Sequence, residues 1–285
     1  MKNTPKSAYL TTKDFLVSGE EFSLIYDSER EMLLTQPQPE IEDLSKYYES
    51  DEYISHTDNK KGIVSFLYQI VKKQALQKKT KLISSLNAGT GKLLDIGAGT
   101  GEFLKYAKHN GWKINGIEPN KGARDLANEK GVYLKKDIKD FEGETFDVIT
   151  LWHVLEHLPN LEEIVIKIED LLKPGGTLII AVPNYKSYDA KHYKNFWAAF
   201  DTPRHLWHFS RKSFEVLFSK NMDLEKIKPM FYDSFYVSLL SEKNKTGNQN
   251  LIKAFFIGLR SNFSAWTTRE YSSLIYCFKK QNKAN

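Results

Sequence analysis

The chain has 285 residues and a net charge of +5 with its lysines scattered, which allows one substantial domain with additions and describes a solvated surface, with no nucleic acid expected as partner. Its single cysteine, Cys277, lies in an apolar run, so neither an intrachain disulfide nor a thiolate metal site can form. The polar start, Met1 to Asp14, lacks the apolar core of a signal peptide, and no apolar run reaches the length of a membrane span; a cytoplasmic protein with no stable membrane insertion is expected.

Residues 1–60 read as an N-terminal add-on. Asp14–Val17, Phe22–Tyr26 and Met32–Thr35 are short apolar runs separated by turn residues, and are predicted as small strands. Pro39 opens a predicted helix over Glu40 to Tyr48. The stretch from Tyr47 to His56 then gathers Tyr47, Tyr48, Tyr53 and His56, either as packing or as a lid.

Residues 61–285 read differently. Ile63, Phe66, Leu67, Ile70, Val71 and Leu76 recur at three- and four-residue steps, which predicts a helix over Ile63 to Leu86 with one buried face. Strands are predicted at Lys92–Ile96, Ile114–Glu118, Val132–Lys135, Phe146–Trp152 and Thr177–Val182, alternating with helices at Gly101–Asn110, Lys121–Lys130 and Leu161–Leu172. Such alternation means an α/β fold, a doubly wound parallel sheet with helices on both faces. Asn184 to Phe209, rich in aromatics and histidines, has no clear period and reads as a long connection, of the kind that usually carries function. A helix capped by Ser210 over Lys212 to Lys220, a strand near Leu224 to Met230, a helical insertion at about 235–269 and a last strand, Tyr271 to Phe278, complete the chain.

The chemistry begins at Lys92–Gly101, a buried strand feeding the turn Asp95-Ile96-Gly97-Ala98-Gly99-Thr100-Gly101. Glycines in a strand-to-helix turn let a ligand approach the backbone. The dinucleotide spacing is G-x-G-x-x-G, whereas here D-x-G-x-G-x-G opens with an acid. A carboxylate at that position repels a pyrophosphate and suits an ammonium, which points to S-adenosylmethionine and disfavours a nicotinamide cofactor.

With Glu118 and Asp137 in place, the chain resembles the class I S-adenosylmethionine-dependent methyltransferases from Lys92 to Val182, and more loosely throughout. The resemblance implies a Rossmann-like sheet of seven strands. It also implies a methionine cradle at Asp95, Gly97, Ala98, Gly99 and Gly101, ribose recognition by Glu118 followed by Pro119, and adenine recognition by Asp137 with Ile138. A carboxylate accepting two ribose hydroxyls is a bidentate, charge-assisted contact, and Asp137 can accept from an exocyclic amine. Trp152 and His153, in the segment Trp152-His153-Val154-Leu155-Glu156-His157-Leu158, match the part that borders the cofactor and reaches the transfer site. Leu171 to Gly176 matches a structural turn of the family.

Tyr47 to His56, His153 to His157 and Asp201 to Ser210 are further similar to a bacterial subgroup of small-molecule methyltransferases. Its members often begin with a cysteine-bearing zinc ribbon; here Ser7, Tyr26 and Asp27 are among the residues of that region and no cysteine is present. The ribbon is degenerate and metal binding there is rejected.

Methyl transfer is an in-line displacement at an activated sulfonium, so the protein must hold a nucleophile about 3 Å from the methyl carbon and exclude water. A general base is needed only for a nucleophile whose proton has a high pKa. His153, His157 and His205 are the candidates, with His208 and Asp201 nearby. Tyr53, His56, Trp197, Arg204, Trp207 and His208 are candidates for holding the acceptor, Arg204 either clamping its carboxylate or phosphate or pairing with Asp201. No metal is expected, because His205 and His208 stand three apart without H-x-x-x-H spacing or a second carboxylate. The expected function is methyl transfer to a small-molecule acceptor, at oxygen before nitrogen or carbon, with a homodimer through the insertion left open. The rivals are an NAD-dependent oxidoreductase and a catalytically inactive cofactor-binding protein.

Overall fold

The computed structural model describes residues 8–40, 42–48 and 63–282. The chain opens with three antiparallel strands, β1 (Ala8–Lys13), β2 (Glu21–Asp27) and β3 (Met32–Gln36). The expected first strand, Asp14–Val17, is a turn instead. The Asp14 carboxylate accepts the backbone N–H groups of Leu16, Val17 and Ser18 at 3.0, 3.2 and 2.8 Å, an Asx turn that bends the backbone where apolar character implied extension. The predicted helix Glu40 to Tyr48 is reduced to a 3-10 turn at Leu44–Tyr48.

The main sheet is built from β4 (Lys92–Ile96), β5 (Lys113–Ile117), β6 (Phe146–Trp152) and β7 (Leu172–Pro183), all parallel. After β8 (Trp207–His208) come β9 (Met222–Pro229) and β10 (Ser273–Lys280), the latter antiparallel to both β7 and β9. The spatial order is β5-β4-β6-β7-β10-β9, so the sheet has six strands among the described residues. The expected seventh, Val132–Lys135, makes a single bridge between Lys135 and Ile117. The chain leaves the sheet edge there because Asp137 immediately caps the 3-10 turn Ile138–Phe141, accepting from Lys139 N at 3.0 Å.

Side chains alternate between two cores, as strands buried on both faces require. Leu94, Ile96, Ile149, Leu151, Leu178 and Ile180 face one core. Leu93, Val148, Ile179 and Cys277 face the other, against Phe103, Leu104 and Ala107 of the helix Glu102–His109 and Leu82 and Ile83 of the helix Ile63–Leu86. Each such apolar side chain contributes roughly 1.5–3 kcal/mol by leaving water. Cys277 is the core residue expected, its thiol pushed up to about 11 by burial. Of the apolar stripe predicted for the long helix, Ile63, Phe66, Leu67, Ile70 and Val71 have side chains outside the described residues.

β3 pairs with β8, Leu33 opposite His208 and Leu34 opposite Trp207, so the long connection supplies the last strand of the N-terminal sheet. The helix expected over Lys212 to Lys220 spans only Ser213–Val216. Ser210 and Ser213 both donate their hydroxyls to Glu31 O, at 2.7 and 2.8 Å, tethering this segment to the N-terminal strands. The insertion between β9 and β10 is a hairpin of two helices, Asp233–Thr246 and Leu251–Thr268. They pack through small residues: a Cβ on Gly258 would lie 2.7 Å from the Phe235 ring. Among the described residues no helix is long and apolar enough to cross a membrane.

Candidate active site

β4 has β5 on one side and β6 on the other, so the chain changes direction across the sheet at β4. In open α/β sheets ligands bind in the crevice at the carboxyl ends of strands at such a switch. The turn Gly97 to Gly101 lies there. Gly97 has φ 73°, and a Cβ on it would come within 2.3 Å of Val154 Cγ2. Gly99 has φ 54° and nothing within 4 Å of where its Cβ would be, so it borders open space. Gly97 N and Ala98 N donate to Ile117 O at 2.8 and 2.9 Å, fastening the turn to β5. Glu118, one residue beyond β5, accepts from Gly99 N at 2.9 Å through Oε2 and from Asn120 N at 2.9 Å through Oε1. Two of the three acids singled out in the sequence are therefore joined through the glycine turn. Pro119 O accepts from Arg124 Nη1 at 2.7 Å, which sets the backbone after Glu118. Asp137 and Ile138 lie at the next strand position outward, with Asp137 exposed.

Asp95 is buried at the end of β4 and accepts the Thr150 hydroxyl at 2.6 Å from the adjacent position on β6. Burial pushes its carboxyl up to about 7, against the Thr150 hydrogen bond and the Lys79 charge. Lys79, from the long helix, places Nζ 4.3 Å from the Trp152 ring centroid; burial pulls its amine down to about 8, against the charges of Asp95 and Asp233. Trp152 Nε1 is buried without a hydrogen-bond partner among the described residues.

His153 follows on left-handed backbone, φ 57°, a conformation that non-glycine residues adopt mostly where the surroundings enforce it. Its Nδ1 lies 3.5 Å from Glu156 Oε1 and its Nε2 3.3 Å from Asp233 Oδ2. Burial alone would lower its pKa, but the Asp233 and Glu156 carboxylates outweigh it and raise the imidazole to about 10. His153 is thus a cation at neutral pH, able to donate and not to accept a proton. Glu156 is buried, and its carboxyl is held below the usual range because His153 outweighs desolvation. Burial, with the His205 charge, takes His157 down to about 4. The ligand-capable atoms of Glu156, His157 and His205 all lie within 4.8 Å of one another. Sequence spacing set His205 beside His208, whose ring centroid is 6.4 Å away; the fold sets it closer still to His157, ring centroids 4.5 Å apart.

The remaining candidates are placed elsewhere. Arg204 is 1% exposed, with its donors engaged by Asp201 Oδ1 at 2.7 and 3.0 Å, Asp14 Oδ1 at 2.8 Å and Tyr47 O at 2.8 Å. It clamps the N-terminal turn to the long connection. Trp197 is core, donating from Nε1 to Asp189 Oδ2 at 2.8 Å. His208 is buried with Nε2 2.9 Å from Thr35 Oγ1, and burial lowers its pKa well below the ordinary histidine value. Trp207, half-buried, donates from Nε1 to Leu158 O at 2.8 Å. Tyr53 and His56 lie outside the described residues. Thr150, Lys79, Glu156 and Asp233 were not singled out as site residues by the sequence. Only Glu156, inside the segment quoted after the fourth strand, carried a local signal.

A family model described as a methyltransferase domain matches residues 64–228, more than half of the chain. The chain belongs to this family, and it is a class I methyltransferase that uses S-adenosylmethionine. Among relatives, the ubiquinone biosynthesis O-methyltransferase of Rickettsia bellii (strain OSU 85-389) is 25% identical over 189 residues, covering 60% of this chain and 75% of its own. The ubiquinone biosynthesis O-methyltransferase of Actinobacillus pleuropneumoniae serotype 5b (strain L20) is 36% identical over 107 residues, 33% of this chain and 46% of its own. The chain therefore spans less than half the length of that second relative. The plantazolicin methyltransferase BpumL, solved with a monoazolic desmethylPZN analog and SAH, shares the fold with a TM-score of 0.52 at 18% identity, over 84% of this chain and 94% of its own.

Proposed function

We propose that this chain moves the methyl group of S-adenosylmethionine to an oxygen of a small-molecule acceptor. The observation that carries the reading is the turn at the end of β4, where Gly97 lets Val154 pack against the backbone, Gly99 borders open space, and Glu118 is hydrogen-bonded to Gly99 N at 2.9 Å. The oxygen is favoured by the relatives named as O-methyltransferases.

The residues present fit the cofactor. The open space at Gly99, the unpartnered Trp152 N–H and the buried Asp95 carboxylate ask for a ligand with an acceptor and a cation. Asp95, Gly97, Ala98, Gly99 and Gly101 would hold the methionine end, Glu118 and Pro119 the ribose, and Asp137 and Ile138 the adenine. The bound cofactor supplies an electrophilic methyl group on a sulfonium. Asp95 favours an ammonium over a phosphate, which also argues against a nicotinamide cofactor. Trp152 and His153 border the transfer edge, and His153, with Nδ1 facing Glu156 and Nε2 facing Asp233, brings a positive charge there. Proton removal from an acceptor falls to His157 or His205. The described part of the N-terminal segment, residues 8–40 and 42–48, is read as a cover tied down by Arg204 through Asp14 and Tyr47. The hairpin is read as an acceptor or dimer element, and its exposed Phe255, Phe256, Phe263 and Trp266 form the face a second copy would bury.

Calorimetry with S-adenosylhomocysteine and with NAD(H), followed by transfer of labelled methyl to a panel of phenols, amines and carbon acids, tests this. Binding of S-adenosylhomocysteine and labelled ethers are expected. Binding of NAD(H) alone would overturn the cofactor assignment, and labelled amines alone the oxygen.

A further inference from the structure

Three groups converge beside the proposed transfer site in an arrangement that their own charges disfavour. His157 Nδ1 lies 3.1 Å from Arg204 O, and His205 Nδ1 lies 2.9 Å from Ala199 O. The two carbonyls can only accept; with Nδ1 as the donor in each ring, the Tyr48 hydroxyl 3.1 Å from His157 Nδ1 accepting as well, each Nε2 presents a lone pair, that of His205 3.9 Å from Asp201 Oδ2. The Glu156 carboxylate is 1% exposed, and neither of its oxygens has a hydrogen-bond partner among the described residues. An ionised carboxylate left without a hydrogen bond in a buried site is strongly disfavoured. The His153 ring, 3.5 Å away, offsets part of this charge. Two imidazoles and a carboxylate, each offering an atom within 4.8 Å of the others, form a buried donor set that a cation between them would stabilise.

We propose that Glu156, His157 and His205 bind a divalent first-row transition-metal ion. Metal-bound histidines usually donate the other ring N–H to a carbonyl or carboxylate that fixes the ring, and both rings here have that partner. Bonds of about 2.0–2.2 Å would set donor atoms about 3–4 Å apart, so small side-chain rotations complete the site. Two imidazoles and one carboxylate suit zinc, iron or manganese better than magnesium or calcium. Three protein ligands leave positions open for water or for an acceptor hydroxyl, whose proton the ion would make easier to remove. This last role rests on the reading of transfer to oxygen; the site itself does not.

The full chain, stripped with a chelator, is titrated with Co2+ and followed by visible absorption and calorimetry, then with Zn2+ in competition. One Co2+ per chain is expected, displaced by Zn2+. Glu156→Gln and His205→Asn should each weaken uptake by at least about tenfold, whereas His208→Asn, in the same segment but bonded to Thr35, should not. Affinity for S-adenosylhomocysteine, measured on every variant, shows that the cradle is folded and keeps a failure of the methyl-transfer reading separate from a failure here. In the wild type, Zn2+ should also shift the NMR signals of the His157 and His205 rings and leave His208 in place. No stoichiometric Co2+ uptake by the wild type, unchanged uptake by Glu156→Gln, or shifts spread evenly over all histidines would overturn the proposal.

Discussion

Thr150 donates its hydroxyl to Asp95 at 2.6 Å from the register-paired position on the neighbouring strand. The pair occupies the same sheet face as the core residues Leu93 and Val148, because side chains two apart on a strand share a face. An acid ending β4 is therefore forced into a buried position and kept from water by its own strand register.

That burial has a sign. Asp95 is raised from 3.8 to about 7, so the folded protein binds the extra proton and loses stability as pH climbs from about 4 to 7. Asp95→Asn should accordingly raise the melting temperature of the ligand-free protein at pH 8, by a stability gain on the order of 1–4 kcal/mol, with the difference vanishing near pH 4. The same variant should lose most of its affinity for S-adenosylmethionine. Equal melting temperatures at pH 8 would show that the carboxylate is not strained there.

Gly97→Ala should destabilise through two additive causes. The left-handed backbone costs a side chain about 1–2 kcal/mol, and the new methyl would sit 2.3 Å from Val154 Cγ2, an overpacking worth about 1–3 kcal/mol. Val154→Ala in the same chain should recover the second part alone. A double-mutant cycle by urea denaturation measures this, and zero coupling would rule out the contact.

Glu118→Ala removes the acceptor for Gly99 N and Asn120 N together with the proposed ribose contact. Hydrogen bonds to a charged group are worth about 1.5–3 kcal/mol, so affinity for S-adenosylhomocysteine should fall by about tenfold to a hundredfold. Calorimetry reads this directly, and wild-type affinity in the variant would remove Glu118 from the ribose site. His205→Ala, by contrast, should reduce acceptor turnover more than cofactor affinity.

Arg204→Met would leave the buried carboxylate of Asp14 and that of Asp201 without their cation. Breaking a buried pair by removing one partner costs about 3–5 kcal/mol. Although burial alone would raise the Asp14 carboxyl, hydrogen bonds from Arg204 and the turn amides hold it below its ordinary 3.8. The stabilisation is therefore present above about pH 4 and lost as pH falls through the lower folded value. Urea denaturation of wild type and variant should differ at pH 7 and converge at pH 2, and a difference that persists at pH 2 would mean packing, not charge.

What could be read from the chain before folding was whatever has a local period or a local turn chemistry. The strands β4 to β7, the helices between them, and the turn from Asp95 to Gly101 all follow from alternation and spacing within about ten residues of each other. The missing seventh strand failed on the same scale: Val132 to Lys135 has strand composition, but the Asp137 cap one residue beyond Lys136 draws the backbone away. Asp14 did the same to the first expected strand.

The sequence by itself determined the glycine turn proposed as the cofactor cradle, because a D-x-G-x-G-x-G turn after a buried strand carries its geometry in contiguous residues. The tertiary structure alone decided what stands across from it. Arg204 meets Asp14 from 190 residues away, His153 meets Asp233 from the far insertion, and His205 meets His157 and Glu156 in addition to His208. These partnerships depend on how β8 completes the N-terminal sheet and how the hairpin packs through Gly258. Neither leaves a periodic trace, since long-range packing selects partners by shape and charge at contact and not by position along the chain.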